Sequence, residues 1–410
     1  MVVLALAAVL PGRAQNVTSP YSILGVGDID TKDYGRFFSS GSASLARRSE
    51  NAYNYSNPAS LTELPFKTMH FAISMRGRNS TFVTPWSDTA TLPDKDFVVK
   101  QVTLAFKLNN KTAFAFGLRP YSSVNYKFSQ QIAILDGNTT YNKYINGSGG
   151  LNSVYFSLAH TLGPRVSVGL TGSWIFGSLI NTTQYLGDNI LLTIKRKETD
   201  FYYGANLQGG IQWYPNWGKA WKQRFGLVGG LATRLHGQMY TEYLQDTTHI
   251  STSWGPVHYF DLPLFVGFGY SAQIHDDWSI SLDANYYDWK RQVVNYGNSY
   301  TAPNVRLSFG TEYSFRKRAY GNVFERSYIS AGVVAQEHYI RILANPMWDY
   351  SVTLGAGYLL TRKVMMQAGL EVGRRGNLAQ SQIRENYTQF MVGLTLKDIW
   401  IGPKYTRRYE

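Results

Sequence analysis

Two short stretches hold residues whose types and spacing could do chemistry: Asn57-Pro58-Ala59-Ser60-Leu61, and Arg119-Pro120-Tyr121-Ser122. Neither is catalytic in kind. The chain has no cysteine, which excludes a disulfide framework and a thiolate metal site. Its seven histidines are dispersed, His249 and His258 fall in a presumed outer loop, and no pair has a metal-ligand spacing. There is no GxSxG elbow, no HExxH, no GxGxxG after a strand and no P-loop. An active site on a barrel would need Ser or Asp with His at matching heights on neighbouring strands, and no motif here signals one. The expectation is a non-enzyme, with no metal, no cofactor and no energy source.

The elements that must position these stretches are strands. From about Thr68 to Trp400 nearly every segment alternates apolar and polar residues, the period of a two-faced strand. Trp278, Ile280, Leu282, Ala284 and Tyr286 alternate with Ser279, Ser281, Asp283 and Asn285. Aromatic residues make up 15% of the 410, with 30 Tyr, 21 Phe and 10 Trp, alongside 38 Gly. No uncharged apolar run of spanning-helix length occurs outside the N-terminus, which argues against a helical membrane protein. A transmembrane β-barrel escapes that test, because lipid-facing and lumen-facing residues alternate. The strands run about 10 to 15 residues, long for a soluble sandwich. About fourteen are expected, an even count.

If both ends of the barrel lie in the periplasm, segments 109–111, 163–165, 275–277 and 361–363 are short periplasmic turns. Segments 82–96, 129–150, 180–199, 241–257 and 375–386 are then longer outer loops. Two periplasmic turns break the pattern, 215–223 and 317–326, which are long, basic and aromatic (Trp217, Trp221, Tyr320). They are either variable loops at head-group level or a docking surface for a periplasmic or outer-membrane protein partner. The net charge is +13, but Lys and Arg are scattered or gathered near turns, as at Arg316, Lys317 and Arg318. Without a basic helix or a recognition motif, this suits anionic outer-membrane lipid and not nucleic acid.

The chain divides at the hinge Asn51–Leu64. Residues 1–14, with the apolar run Val2 to Leu10, read as a secretory signal ending after Ala14. Residues 15–66 show no sustained period, although Gly41 to Ser49 could make one helical turn. Such a segment stays ordered only if something encloses it, and a barrel lumen would. Residues 67–400 form the barrel, and 401–410 a periplasmic tail. Pro58 restricts Asn57 to extended conformations, so the pair fixes a tight non-helical corner. Export without thiols or spanning helices places the protein in the outer membrane of a Gram-negative cell.

Ala52, the run Asn57-Pro58-Ala59-Ser60-Leu61 and Leu64 resemble the hatch signature of the long-chain fatty-acid transporter family, the FadL/TodX group of outer-membrane proteins. The resemblance implies a fourteen-stranded barrel plugged by a small N-terminal hatch. It also implies a kink in the third strand that opens a gap in the wall. Pro120 lies in mid-strand within Ala113 to Phe128, where a proline removes a ladder hydrogen bond. The sheet should bulge there or part, with Arg119, Tyr121 and Ser122 flanking the place. Pro263 could make a second, structural bulge. Inward charges such as Arg76, Lys107, Asp261, Asp283, Arg306, Glu312 and Glu371 should pair with one another or with the hatch. The leading expectation is a passive transporter of hydrophobic, fatty-acid-like small molecules with lateral release at strand three. The alternative is a non-transporting barrel subunit of an outer-membrane secretion or barrel-assembly complex.

Overall fold

A computed structural model describes residues 19–399, apart from 86–93, 134–139, 188–192, 216, 218–220, 247, 295–297 and 320–321. The expected signal segment and C-terminal tail lie outside the described residues. Strands form where the alternation runs. A two-residue strand, β1 (Asp28–Ile29), lies in the N-terminal segment. The wall begins with β2 (Thr68–Val83) and β3 (Asp94–Lys107). Next come β4 (Thr112–Pro120) and β5 (Ser122–Ala133), then β6 (Thr140–Gly163), β7 (Val166–Gly187) and β8 (Ile194–Trp213). It continues through β9 (Trp221–Gly230), β10 (Thr233–Gln245), β11 (Thr248–Leu262), β12 (Leu264–Ile274) and β13 (Trp278–Asp288). The short β14 (Ser299–Thr301) precedes β15 (Asn304–Ala319) and β16 (Asn322–Glu337), and the short β17 (Ile340–Ile342) precedes β18 (Trp348–Thr361). The chain ends its wall with β19 (Val364–Arg375) and β20 (Arg384–Ile399). Three barrel strands are broken in two (β4 with β5, β9 with β10, β11 with β12), and antiparallel pairing of β2 with β20 closes fourteen strands into a barrel.

The two faces separate as the alternation requires. Leu282, Leu354 and Leu370 are 49%, 55% and 45% exposed, while their neighbours Asp283, Thr353 and Glu371 are 4%, 1% and 1% exposed. A soluble protein would bury the leucines. Here they join an outward apolar belt suited to lipid, while the polar face packs inward. Among the described residues no helix is long and apolar enough to cross a membrane. The breaks at Pro120 and Pro263 fall where a ring nitrogen cannot serve the ladder. The third break, between Gly230 and Thr233, has no proline to signal it.

Strand lengths differ from the expectation. Segments 140–150, 180–187, 194–199, 241–246 and 248–257, expected as outer loops, are mostly ladder. The strands β6, β7 and β8 reach 24, 22 and 20 residues, against 12 for β19. Polar residues on both faces hide a strand from a pattern search, yet neighbouring strands still satisfy its backbone. The turn expected at 317–326 is likewise a hairpin continuation, pairing Lys317 with Phe324 and Arg318 with Val323. Only Tyr320 and Gly321 at its tip lie outside the described residues. In the segment 215–223, Trp217 is exposed and stacks edge-on against Trp213 at 5.1 Å.

The N-terminal segment sits inside the cylinder. Its helical turns are 3-10 pieces at Pro20–Ile23, Phe38–Ser40 and Pro58–Glu63, and not at 41–49. Asn57 is extended, as its proline demands, but residues 58–63 form a 3-10 helix and not a non-helical corner. Pro58 fits the first helical position and the Asn57 side chain accepts from the Ala59 N–H at 3.1 Å, a capped helix start.

Candidate functional site: the hatch and the broken wall

The hatch is fastened through the lumen by charge. Arg36 bonds Glu312 and Glu325, at 2.7 Å each, and Arg47 also reaches Glu312. Lys32 pairs with Glu371, and Asp30 with Lys100 at 2.8 Å. Backbone groups join in: Asp283 accepts from the Ser44 and Leu45 N–H groups at 2.6 and 2.9 Å, and Arg306 donates to the Gly41 carbonyl at 2.9 Å. Lys107 donates to the Thr62 carbonyl. Arg76 pairs with Asp96 on the next strand. Asp261, also expected to point inward, pairs instead with the exposed Arg234 at 2.8 Å. Close approach needs glycine on the wall: a Cβ at Gly226 would stand 2.1 Å from the Leu45 carbonyl oxygen, and one at Gly332 would stand 2.3 Å from the Gly41 nitrogen.

Asn57, Pro58, Ala59 and Leu61 lie together at the foot of the hatch. The Asn57 amide donates to the Leu45 carbonyl at 2.8 Å, and Leu61 packs with Leu64 against Ala105, Ala113, Ala115 and Ala159 of the wall. Ala113 and Ala115 belong to the lower part of β4, so the group touches the broken strand below the break at Pro120. An aromatic bridge spans the distance to Arg119: Tyr155 contacts Tyr55 edge-on at 5.0 Å, and the Arg119 guanidinium stacks 4.1 Å over the Tyr55 ring.

Arg119, Pro120, Tyr121 and Ser122 meet the hatch in one place. Arg119 is buried and donates to the carbonyls of Asp30 and Lys32 at 3.3 and 3.1 Å, so it holds hatch backbone. Pro120 ends β4 opposite Asn152 of β6. The Tyr121 N–H donates to the Leu151 carbonyl at 2.8 Å, and its own carbonyl accepts from the Asp30 N–H at 2.9 Å. Ser122 Oγ donates to the Val26 carbonyl at 2.7 Å.

The pairing changes across this point. Up to Leu118 the strand sits between β3 and β6, and Arg119 and Pro120 pair with β6. From Val102 to Lys107, β3 pairs with β4, while Asp94 to Gln101 show ladder pairing to β2 alone among the described residues. Beyond the break, β5 pairs with β6 on one side. On the other side the hatch takes over: Asp28 and Ile29 of β1 pair with Ser123 and Ser122, and the Ser19 N–H donates to the Asn125 carbonyl at 2.7 Å. The hatch is thus a short wall strand as well as a plug. In neighbouring β6 and β7, Gly149, Gly150 and Gly177 take φ of 108°, 144° and 157°. A Cβ at Gly150 would stand 2.4 Å from the Ser122 carbonyl oxygen.

Sequence reasoning missed the partner of the break, Gly27 to Asp30. It also passed over Gly149-Gly150, although two glycines inside a strand signal a bulge or a close backbone approach.

A cavity of about 220 Å³ lies beside this junction. Its lining includes the charged Asp30, Lys32, Arg76 and Lys100 and the aromatic Tyr121 and Trp289. Ile175 and Tyr339 of its lining belong to a packed cluster in which Leu24 and Val26 of the hatch join Leu151 and Leu235. Within the hatch, burial drives the Asp33 carboxyl up to about 6, against the opposing pull of the Gly35 N–H and of Arg119 and Arg306. One Asp33 oxygen accepts from the Gly35 N–H at 2.6 Å and the other has no hydrogen-bond partner. Among the described residues no His, Asp and Glu cluster could hold a metal ion.

Solved structures that share this fold include a FadL homologue and toluene transporters. A FadL homologue of Pseudomonas aeruginosa superposes with a TM-score of 0.62 at 10% identity, over 94% of this chain and 100% of the other. The toluene transporter TodX of Pseudomonas putida gives 0.60 at 14% identity, over 92% and 100%. The toluene transporter TbuX of Ralstonia pickettii gives 0.58 at 14% identity, over 92% and 99%. Identities this low establish likeness of fold alone. No curated protein matches the chain by sequence. A family model does, under the description BamG, and it matches residues 1–406. The resemblance to the fatty-acid transporter group is therefore one of architecture, and by its sequence this chain belongs to the BamG family.

Proposed function

We propose that this protein is a plugged barrel subunit of an outer-membrane barrel-assembly complex, contributing surfaces and not a bore. The observation that carries this reading is the way the hatch is fastened. A hatch shift within the lumen would leave Lys32–Glu371, Arg36–Glu312, Arg47–Glu312 and Asp30–Lys100 broken in a poorly solvated place. Each buried pair broken in this way costs about 3–5 kcal/mol. A solute bound at micromolar affinity has only about 8 kcal/mol in all, and only the difference between its affinities for the two hatch positions can move the hatch. A small hydrophobic solute does not unplug such a barrel.

The test is purification in gentle detergent from the native membrane. A stoichiometric protein partner with no acyl chains in the lumen supports the subunit. A lone barrel carrying acyl chains, and liposomes that take up hydrophobic solute only when it is present, would sink it.

One observation favours a second reading, a passive channel for hydrophobic compounds with lateral release. Among the described residues, Asp94–Gln101 of β3 and the strand β5 are not ladder partners, and the hatch stands at the β5 edge. On this reading a solute in the adjoining cavity leaves sideways into the bilayer past Pro120 when β1 lifts. Solute flux that rises on loosening β1, with the hatch still in the lumen, supports it. Unchanged flux counts against it.

A further inference from the structure

We propose that the outer edge of β11, from Thr248 to Trp254, is a docking site for an extended strand of a partner protein on the extracellular side. The inference rests on the subunit reading and names the surface where a partner joins. A bilayer needs strands of about 9–11 residues, and β13 and β19, with 11 and 12, barely exceed that. The strands β6, β7 and β8 are about twice as long. With β5, β10 and β11 they rise past the opposite wall as a free-standing sheet on the side away from both chain ends.

A closed barrel has no edges, but this upright sheet has two. On the first, the described part of the hatch reaches Asn125 of β5, and the next residue but one is Lys127. A lysine on an edge strand discourages further pairing. On the second edge, β11 pairs with β10 alone among the described residues. Thr248 to Trp254 are all exposed, with Ile250 at 58% and Trp254 at 61%. From Thr248 to Tyr259 there is no Asp, Glu, Lys or Arg. The ladder shifts register between Gln238 and Tyr240, opposite the stretch that holds Pro256, so that proline guards only the lower part of the edge.

A row of open backbone N–H and C=O groups is satisfied by one kind of ligand, another extended chain. Trp254 gives that chain a rigid neighbour: it contacts Tyr240 at 4.7 Å and Phe201 at 6.2 Å, so little side-chain freedom is lost on docking. An uncharged exposed edge left uncovered is an aggregation hazard. In an assembly, a strand from a different protein covers it.

Backbone amide exchange would be compared between the native assembly in gentle detergent and this chain alone. Amides of Thr248–Trp254 are expected to exchange at least about tenfold more slowly in the assembly, with Lys127–Gln130 of the other edge unchanged. The double variant Ser251→Lys with Ser253→Lys is expected to lose the partner by about tenfold or more while the barrel keeps its heat-sensitive gel mobility. A stoichiometric partner present with unprotected Thr248–Trp254 overturns this inference and leaves the subunit reading intact. No partner at all overturns both. Protection that appears on concentrating the chain alone assigns the edge to a second copy and overturns the partner strand.

Discussion

Glu312 receives two guanidinium groups in a place that is 2% exposed. Replacing it by Gln leaves Arg47 without a carboxylate and Arg36 with only Glu325. The variant Glu312→Gln is expected to lose about 3–5 kcal/mol of stability, since one partner of a buried pair is gone. Thermal unfolding in detergent reads the loss, and limited proteolysis should cut the hatch first. Asp33 sets a pH dependence of opposite kind. Its folded carboxyl is raised from the usual 3.8 to about 6 by burial, so the native state holds the proton more tightly than the unfolded chain. The stabilisation is fully present below about 3.8 and is lost as pH rises through about 6. At about 1.4 kcal/mol per pH unit, the change is on the order of 3 kcal/mol. Hatch protection measured at pH 4.5 and 7.5 should show the fall, and Asp33→Asn should flatten it.

At the level of the element, the junction of β1 with β5 is the weak seam. Two ladder residues and a few hatch bonds hold it, against the twelve-residue pairing of β19 with β20. Gly27 sits at φ 90°, and a Cβ there would stand 2.5 Å from the Ser123 carbonyl oxygen. The variant Gly27→Val is therefore expected to push β1 off β5 at a cost of about 1–3 kcal/mol. Amide exchange at Ser122 and Ser123 should quicken, while β19 and β20 stay protected. Equal exchange in variant and parent would mean that β5 is held by β6 alone. The same variant tests lateral release, because solute flux in liposomes should rise only if the seam is an exit.

At the level of the molecule, the outward belt decides where the protein can live. Leu282 and Leu354 face the same apolar medium from opposite flanks of β15 and β16. Leu282→Arg places a charge in hydrocarbon and is expected to cost about 2–4 kcal/mol of folding into bilayers. Refolding titrations into liposomes measure this. Ser308→Ala, on the polar face, removes a hydroxyl that makes no hydrogen bond among the described residues and should leave bilayer insertion within about 1 kcal/mol of the parent, since it adds no charge to the lipid face.

Local alternation, and the places where backbone chemistry fails, can be read from the chain alone. Trp278 to Asn285 alternate because a pleated strand has two faces and lipid lies on one of them. Pro120 and Pro263 mark breaks because a ring nitrogen cannot donate wherever the strand goes. Asn57 was legible as extended for the same local reason, though the helix it caps was not. Partnership between distant residues is settled only when the cylinder closes around its hatch. Lys32 and Glu371 lie 339 positions apart, and nothing near either names the other. Asp28 and Ile29 look like loop residues until β5 loses β3 and needs an edge partner. The tall strands at 140–150 and 180–187 carry polar residues on both faces, so no period betrays them. Their ladder exists because each neighbour supplies the hydrogen bonds the next one lacks, and a single strand read alone cannot show that.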